Sequence, residues 1–87
     1  MKIKEGFILR TVGGNHIVVP VGAQTVDFRG IITLNETGEF LWNLLQEDCT
    51  EEQLTQALLA EYDVAADVAA ADISGFVESL RQADLLA

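Results

Sequence analysis

The sequence predicts an α+β fold, in which a three-stranded antiparallel sheet is followed by three helices. Residues 1–34 carry short β-branched and apolar runs separated by glycines, a pattern typical of strands and turns. Residues 35–87 carry apolar side chains at helical spacing, with capping residues ahead of them. Between these parts, residues 30–42 change from a strand pattern to a helix pattern without a linker. The third strand should therefore lead directly into the first helix.

The first two strands are predicted to form a hairpin. Residues 7–12 form the first strand and residues 16–21 the return strand, with Gly-Gly-Asn at 13–15 as the turn. Glycine suits such a turn because it adopts positive φ at little cost. A loop is then predicted at residues 22–29.

The third strand is predicted at residues 31–34. Consecutive strands usually pair, so the expected order is first, second, third, and one edge of the third strand is left unpaired. Successive side chains of a strand face opposite sides of the sheet. Either Ile31 and Thr33 or Ile32 and Leu34 therefore face the core, and the sequence leaves both choices open.

The first helix is predicted over residues 36–46, with Asn35 as its N-cap. Gly38 inside this helix costs about 1 kcal/mol relative to Ala, so we expect another group to pack closely against it. Trp42 lies beyond the apolar arc of the helix, where it either caps the core or is partly exposed. That arc comprises Phe40, Leu41, Leu44 and Leu45.

Two further helices are predicted. Thr50 and Gln53 form a capping-box pattern at the start of the second, which extends to about Glu61. The third runs from residue 65 or 66 to Gln82. After residue 50, the side chains expected in the core are Leu54, Leu58, Tyr62, Ala69, Ile73, Phe76, Val77 and Leu80. Leu85 and Leu86 are expected to fold back onto the core.

A second stripe runs along the third helix beside its buried arc. It consists of Val68, Asp72, Gly75 and Ser79, and most of these side chains are small. Such a stripe is either one wall of a groove or a place where a neighbouring element packs closely. The residues alone favour close packing.

Length and charge exclude several classes of protein. We expect one domain, residues 1–87, with no membrane-spanning run and no signal-peptide core, and hence a cytoplasmic protein. Residues 1–34 have a net charge of +2, whereas residues 35–87 carry twelve acidic residues against Arg81, a net charge of −11. The acidic half would repel a phosphate backbone, so nucleic acid is not an expected partner.

The sequence offers few groups for catalysis. Cys49 and His16 are each the only residue of their type, so a disulfide, a multi-cysteine metal site and triad chemistry have no basis here. We expect an incidental cysteine, a surface or packed histidine, no metal, no cofactor and no enzymatic activity. A domain with a free strand edge and no reactive groups is best interpreted as a binding protein.

Several segments of the sequence together form a recognisable pattern. The most specific is Leu-Asn-Glu-Thr-Gly at residues 34–38, followed by aromatic and leucine residues. The others are Thr50 with its acidic helix, Glu-Tyr-Asp-Val at 61–64, Ala-Asp-Ile at 71–73 with Phe76 and Leu80, and the final Leu-Leu. This pattern resembles the PqqD-like family, whose founding member is the pyrroloquinoline quinone biosynthesis protein D. Asp84 stands where the family often has glycine.

The resemblance implies a winged helix-turn-helix-like fold and a peptide-binding function. Such domains bind the leader of a ribosomally made precursor peptide and present it to a modifying enzyme, often a radical S-adenosylmethionine enzyme. The leader would add a strand to the third strand, in the groove beside the third helix. On this basis the expected peptide-binding residues are Ile31, Ile32, Thr33, Leu34, Val68, Asp72, Gly75, Phe76 and Ser79.

The sequence leaves three interpretations of the function. The leading one is a non-catalytic peptide chaperone, either monomeric or weakly dimeric through its free edge. A winged-helix transcriptional regulator is the alternative, which the acidic helices disfavour. A structural subunit of a maturase complex, with no affinity for the leader, is the third.

Overall fold

The computed structural model describes residues 1–22 and 32–87. The antiparallel sheet has the strand order β1-β2-β3 and is followed by three helices, which confirms the predicted α+β arrangement. Most of the predicted loop at 22–29 lies outside the described residues, as does Ile31, the first residue of the predicted third strand. The elements are β1 (Phe7–Val12), β2 (Asn15–Pro20), β3 (Ile32–Leu34), α1 (Glu36–Leu44), α2 (Glu51–Glu61) and α3 (Ala66–Gln82).

The hairpin between β1 and β2 turns on two glycines. Gly13 and Gly14 have φ of 57° and 83°, as a two-residue turn of the hairpin type requires. Asn15 was expected in the turn but instead pairs with Val12 at the start of β2. The prediction was wrong by one residue because two glycines with positive φ complete the reversal by themselves.

The core lies between one face of the sheet and the three helices. Trp42 is 2% exposed, so it lies within the core and is neither a cap on it nor partly exposed. Phe40 and Tyr62 are only half-buried, and their rings meet edge to face with centroids 5.6 Å apart. The buried set is Ile3, Phe7, Val18, Leu34, Leu41, Trp42, Leu45, Leu54, Leu58, Ala69, Ile73, Val77, Leu80 and Leu85.

The ends of α1 and α2 follow different rules. The capping box is present: Gln53 N–H donates to Thr50 Oγ1 (3.1 Å), and Thr50 N–H donates to Gln53 Oε1 (2.9 Å). By contrast, α1 ends at Leu44 and not at Gln46 as predicted. Past that end, the Leu45 carbonyl accepts the amide of Ile3 at 2.9 Å. The carbonyl at the end of α1 is therefore satisfied by a tertiary hydrogen bond and not by a further helical turn.

Within the described chain no helix is long and apolar enough to cross a bilayer.

The two ends of the described chain lie side by side. Ile3 and Leu86 form an isolated antiparallel bridge, and Leu85 is fully buried, which confirms that the final leucines fold back onto the core. Asp84 has φ of 60°, in the left-handed region, and its carboxylate lies 2.7 Å from Lys4 Nζ. The amino group of Met1 donates to Asp48 at 2.6 Å, and this contact lowers the pKa of the Asp48 carboxyl.

Candidate functional site

The side chains of β3 face two different environments. Leu34 is buried, and Ile32 is partly buried against the core, whereas Thr33 is exposed. Ile32 and Leu34 therefore face the core, which decides between the two alternatives that the sequence left open. Thr33 points to the opposite face of the sheet.

The backbone of Thr33 points away from the rest of the sheet. The Val21 amide donates to the Gly6 carbonyl at 2.7 Å, so this opposed pair is a hydrogen-bonded one. Hydrogen-bonded and non-bonded pairs alternate along an antiparallel ladder, and a residue directs both backbone groups to the same side. By this alternation, Ile32 and Leu34 direct their backbone groups to β2, and the N–H and C=O of Thr33 point to the outer edge of β3.

Among the described residues, β3 is thus an edge strand, and the outward N–H and C=O of Thr33 have no partner strand there. It pairs with β2 on one side, and no strand of the described residues pairs with its other side. Unpaired edge groups of this kind are a template for adding a strand from another chain.

A pocket of about 210 Å³ opens beyond the C-terminal end of β3. Its walls come from the residue that follows β3, from the first two turns of α1, and from the middle of α3. Leu41 and Phe76 provide apolar surface, and Asp72 provides the one charged side chain that the described part of the chain contributes to the lining. The lining residues are Asn35, Thr37, Gly38, Leu41, Asp72 and Phe76.

Two local features hold the pocket in shape. Asn35 is extended, with φ of −82° and ψ of −176°, and its Oδ1 accepts the Gly38 amide at 2.8 Å. A Cβ added to Gly38 would lie 3.0 Å from the Cβ of Leu34. This contact confirms the expectation that another group packs closely against Gly38. It also ties the start of α1 to the end of β3.

The wall that α3 contributes is open along its length. Val68 is 49% exposed, and a Cβ added to Gly75 would meet nothing in the described structure within 4 Å. Ser79 is exposed and donates its hydroxyl to the Phe76 carbonyl at 2.8 Å. The small-residue stripe therefore packs against no described neighbour, contrary to the reading that the residues alone favoured.

A second pocket, of about 550 Å³, lies at the end of the sheet beside the hairpin turn. It has a polar lining that includes His16, Thr33 and Asn35. His16 Nδ1 lies 2.9 Å from Glu39 Oε2 and 3.0 Å from Thr11 Oγ1, so its ring is held by neighbouring side chains. Asn35 lines both pockets and separates them.

The groups that could perform chemistry are dispersed. Cys49 is half-buried and its thiol donates to the Leu44 carbonyl at 3.4 Å. In residues 1–22 and 32–87, no three His, Cys, Asp or Glu side chains are grouped as a metal would need.

The sequence found part of this site. Asp72 and Phe76 were expected to face a groove, and they line the pocket at the end of β3. Thr37, Gly38 and Leu41 were missed as pocket residues, although the energetic cost of Gly38 inside a helix was a usable signal. Ile31 lies outside the described residues.

The fold and the site together define a small winged helix-turn-helix-like domain with an open strand edge next to a pocket. A comparison with family models then places the chain. Residues 16–86 match the model described as Coenzyme PQQ synthesis protein D (PqqD), and the chain belongs to this family. The resemblance drawn from residues 34–38 and the later segments is thereby confirmed. The comparison with curated proteins found no match.

Two solved structures have the same fold. One is described as "TbiB1 in Complex with the TbiA(beta) Leader Peptide"; it is 23% identical, has a TM-score of 0.76, and the match covers 99% of this chain and 94% of that one. The other is described as "Lasso peptide synthetase B1 complexed with the leader peptide"; it is 20% identical, has a TM-score of 0.70, and the match covers 93% and 89% of the two chains. At these identities the likeness is one of fold.

Proposed function

We propose that this protein is a non-catalytic binding partner for the leader segment of a ribosomally made precursor peptide. The leader adds a strand to the outer edge of β3, and the protein presents the precursor to a modifying enzyme, for example a radical S-adenosylmethionine enzyme. The observation that carries the proposal is the backbone of Thr33, which points to a strand edge that no described strand covers and that lies beside a pocket.

In strand addition, backbone groups provide affinity and side-chain pockets provide specificity. The N–H and C=O of Thr33 provide sequence-independent affinity, and the neighbouring pocket reads one side chain of the peptide. The family assignment supports this function, as does the fact that both similar structures hold leader peptides.

Charge argues against the transcriptional-regulator alternative. The exposed surface of α3 carries Asp67, Asp72 and Glu78, and its one basic side chain, Arg81, is paired with Glu78 at 2.7 Å. A helix of this charge repels a phosphate backbone.

The test is a titration followed by NMR of the labelled protein with the leader of a precursor encoded beside its gene. We expect shifts at residues 32–34 and along α3. Thr33→Pro removes the donor at the open edge while the hydrogen bonds from β3 to β2 remain. It should weaken binding about tenfold or more, since one lost hydrogen bond and a distorted edge act together.

A matched control lies at the other edge of the sheet. By the same alternation, Thr11 in β1 directs its N–H to the outer edge of β1. Thr11→Pro is therefore the same substitution in the other edge strand, and it should leave affinity unchanged. Equal losses for both variants, or shifts confined to β1, would mean that the peptide does not bind at β3.

A further inference from the structure

We propose that the pocket at the end of β3 selects a lysine or arginine side chain of the bound peptide, and that Asp72 makes this selection. The inference rests on the proposed function, because it requires a peptide strand along the outer edge of β3. It adds the class of residue that the peptide carries and its position relative to Thr33.

The geometry of strand addition places one peptide side chain at the pocket. Thr33 is exposed on the face opposite the core, so the peptide residue paired with it points to that same face. The peptide residues on either side of that one point to the core face, opposite Ile32 and Leu34. The residue opposite Leu34 lies next to Asn35, which lines the pocket. The selected side chain is therefore adjacent in sequence to the residue that bonds to Thr33.

The lining of the pocket suits a long side chain with a cationic end. Leu41 is 1% exposed and Phe76 is half-buried, and both give the pocket apolar walls. Asp72 is exposed and is the only ionisable side chain among the described residues of the lining. Lysine and arginine bury an apolar stem while the charged end stays near water, which matches this arrangement of walls and rim.

The charge of Asp72 is not neutralised from within the described structure. The carboxylate of Asp72 takes part in no ion pair or hydrogen bond with residues 1–22 or 32–87. Lys4 and Arg81 are already paired, each at 2.7 Å, with Asp84 and Glu78. A basic peptide side chain would thus pair with a carboxylate that no described residue neutralises, whereas an acidic one would be repelled in a region whose net charge is −11 (residues 35–87).

The test is a selection from a random peptide library displayed on yeast, carried out against the whole protein and against Asp72→Asn. Peptides are retained only if Thr33→Pro weakens their binding by about tenfold or more, which restricts the set to strands at the β3 edge. We expect lysine or arginine to be enriched at one fixed position of the retained peptides. Asp72→Asn should remove that enrichment.

Affinity measurements on one selected peptide give the size of the effect. Asp72→Asn should weaken binding about three- to tenfold at low salt, with a smaller effect at high salt, as for a partly exposed ion pair. Asp67→Asn is the matched control, because Asp67 is an exposed carboxylate in the first turn of α3 that does not line the pocket. The charge-reversal variant Asp72→Lys should shift the enrichment at the same position to glutamate or aspartate.

The possible failures are distinguishable. The role of Asp72 is overturned if the retained peptides carry an apolar or acidic residue at the fixed position. It is also overturned if basic residues stay enriched there with Asp72→Asn. Either result leaves strand addition intact. A library that yields no peptide dependent on Thr33 overturns the proposed function, and this inference with it.

Discussion

The exposed surface of α3 at Gly75 leads to two predictions. A small side chain at this position should stabilise the protein, whereas a large one should weaken peptide binding. A Cβ at this position would meet no described atom within 4 Å, and Gly75 lies inside the 17-residue helix α3. Against the described residues, Gly75→Ala therefore adds no clash and buries no surface, so we expect its effect to be that of the backbone alone. Glycine in a helix interior is less stable than alanine by about 0.5–1 kcal/mol.

The stability half of the prediction can be measured by thermal unfolding. For a domain of this size a gain of 1 kcal/mol raises Tm by about 4–8 °C, so Gly75→Ala should raise Tm by about 2–8 °C. Trp42 is the only tryptophan and is buried, so its fluorescence reports unfolding and not ligand contact. A lower Tm for Gly75→Ala would contradict an open helix surface at this position.

The binding half uses a larger side chain. Gly75→Leu keeps a good helix former but places a branched side chain on the groove side of α3, where the peptide would lie. We expect about a tenfold loss of affinity, the effect of roughly 1.4 kcal/mol. Ser74→Leu is the control: Ser74 is exposed, but helical rotation puts it on the side of α3 away from Asp72. Unchanged affinity for Gly75→Leu would show that the peptide does not run past this position.

Three further predictions concern the stability of the fold. Asn35→Ala removes the acceptor of the Gly38 amide and should lower the free energy of unfolding in urea by about 1 kcal/mol, while Asn35→Asp, which can also cap, should not. Asp84→Gly relieves the cost of a left-handed conformation but removes the ion pair with Lys4, and the net effect should be a stabilisation of about 0.5 kcal/mol. If Asp84→Gly instead destabilises the protein as much as Lys4→Ala does, the ion pair outweighs the backbone strain. Leu54→Ala empties a fully buried position and should cost about 2–5 kcal/mol by the same urea assay, and a loss below 1 kcal/mol would place Leu54 outside the core.

Local chemistry in the sequence predicted the features that depend on neighbouring residues. The glycine hairpin, the Asn35 cap and the Thr50–Gln53 capping box each involve groups a few residues apart, and all three are present. The same reasoning missed the end of α1, because the Leu45 carbonyl is taken by Ile3, which is remote in sequence.

The candidate site was only half predictable for a similar reason. The predicted third strand, residues 31–34, has one polar side chain, Thr33, which is too little alternation to assign its core-facing side before Leu34 is seen to be buried and Thr33 exposed. The stripe on α3 was visible in the sequence, but the pocket also needs Gly38 and Leu41 from α1. The position of Gly38 and Leu41 opposite α3 depends on tertiary packing, which helical periodicity does not predict.

The hydrogen bond between Asn35 and Gly38 gives the protein a natural reporter of occupancy. Both residues line the pocket, and the Gly38 amide depends on Asn35 Oδ1 for its acceptor. A ligand that engages Asn35 must either compete with this bond or shield it from water. The hydrogen-exchange rate of a single amide should therefore change on binding, so that binding can be followed without a label on the peptide.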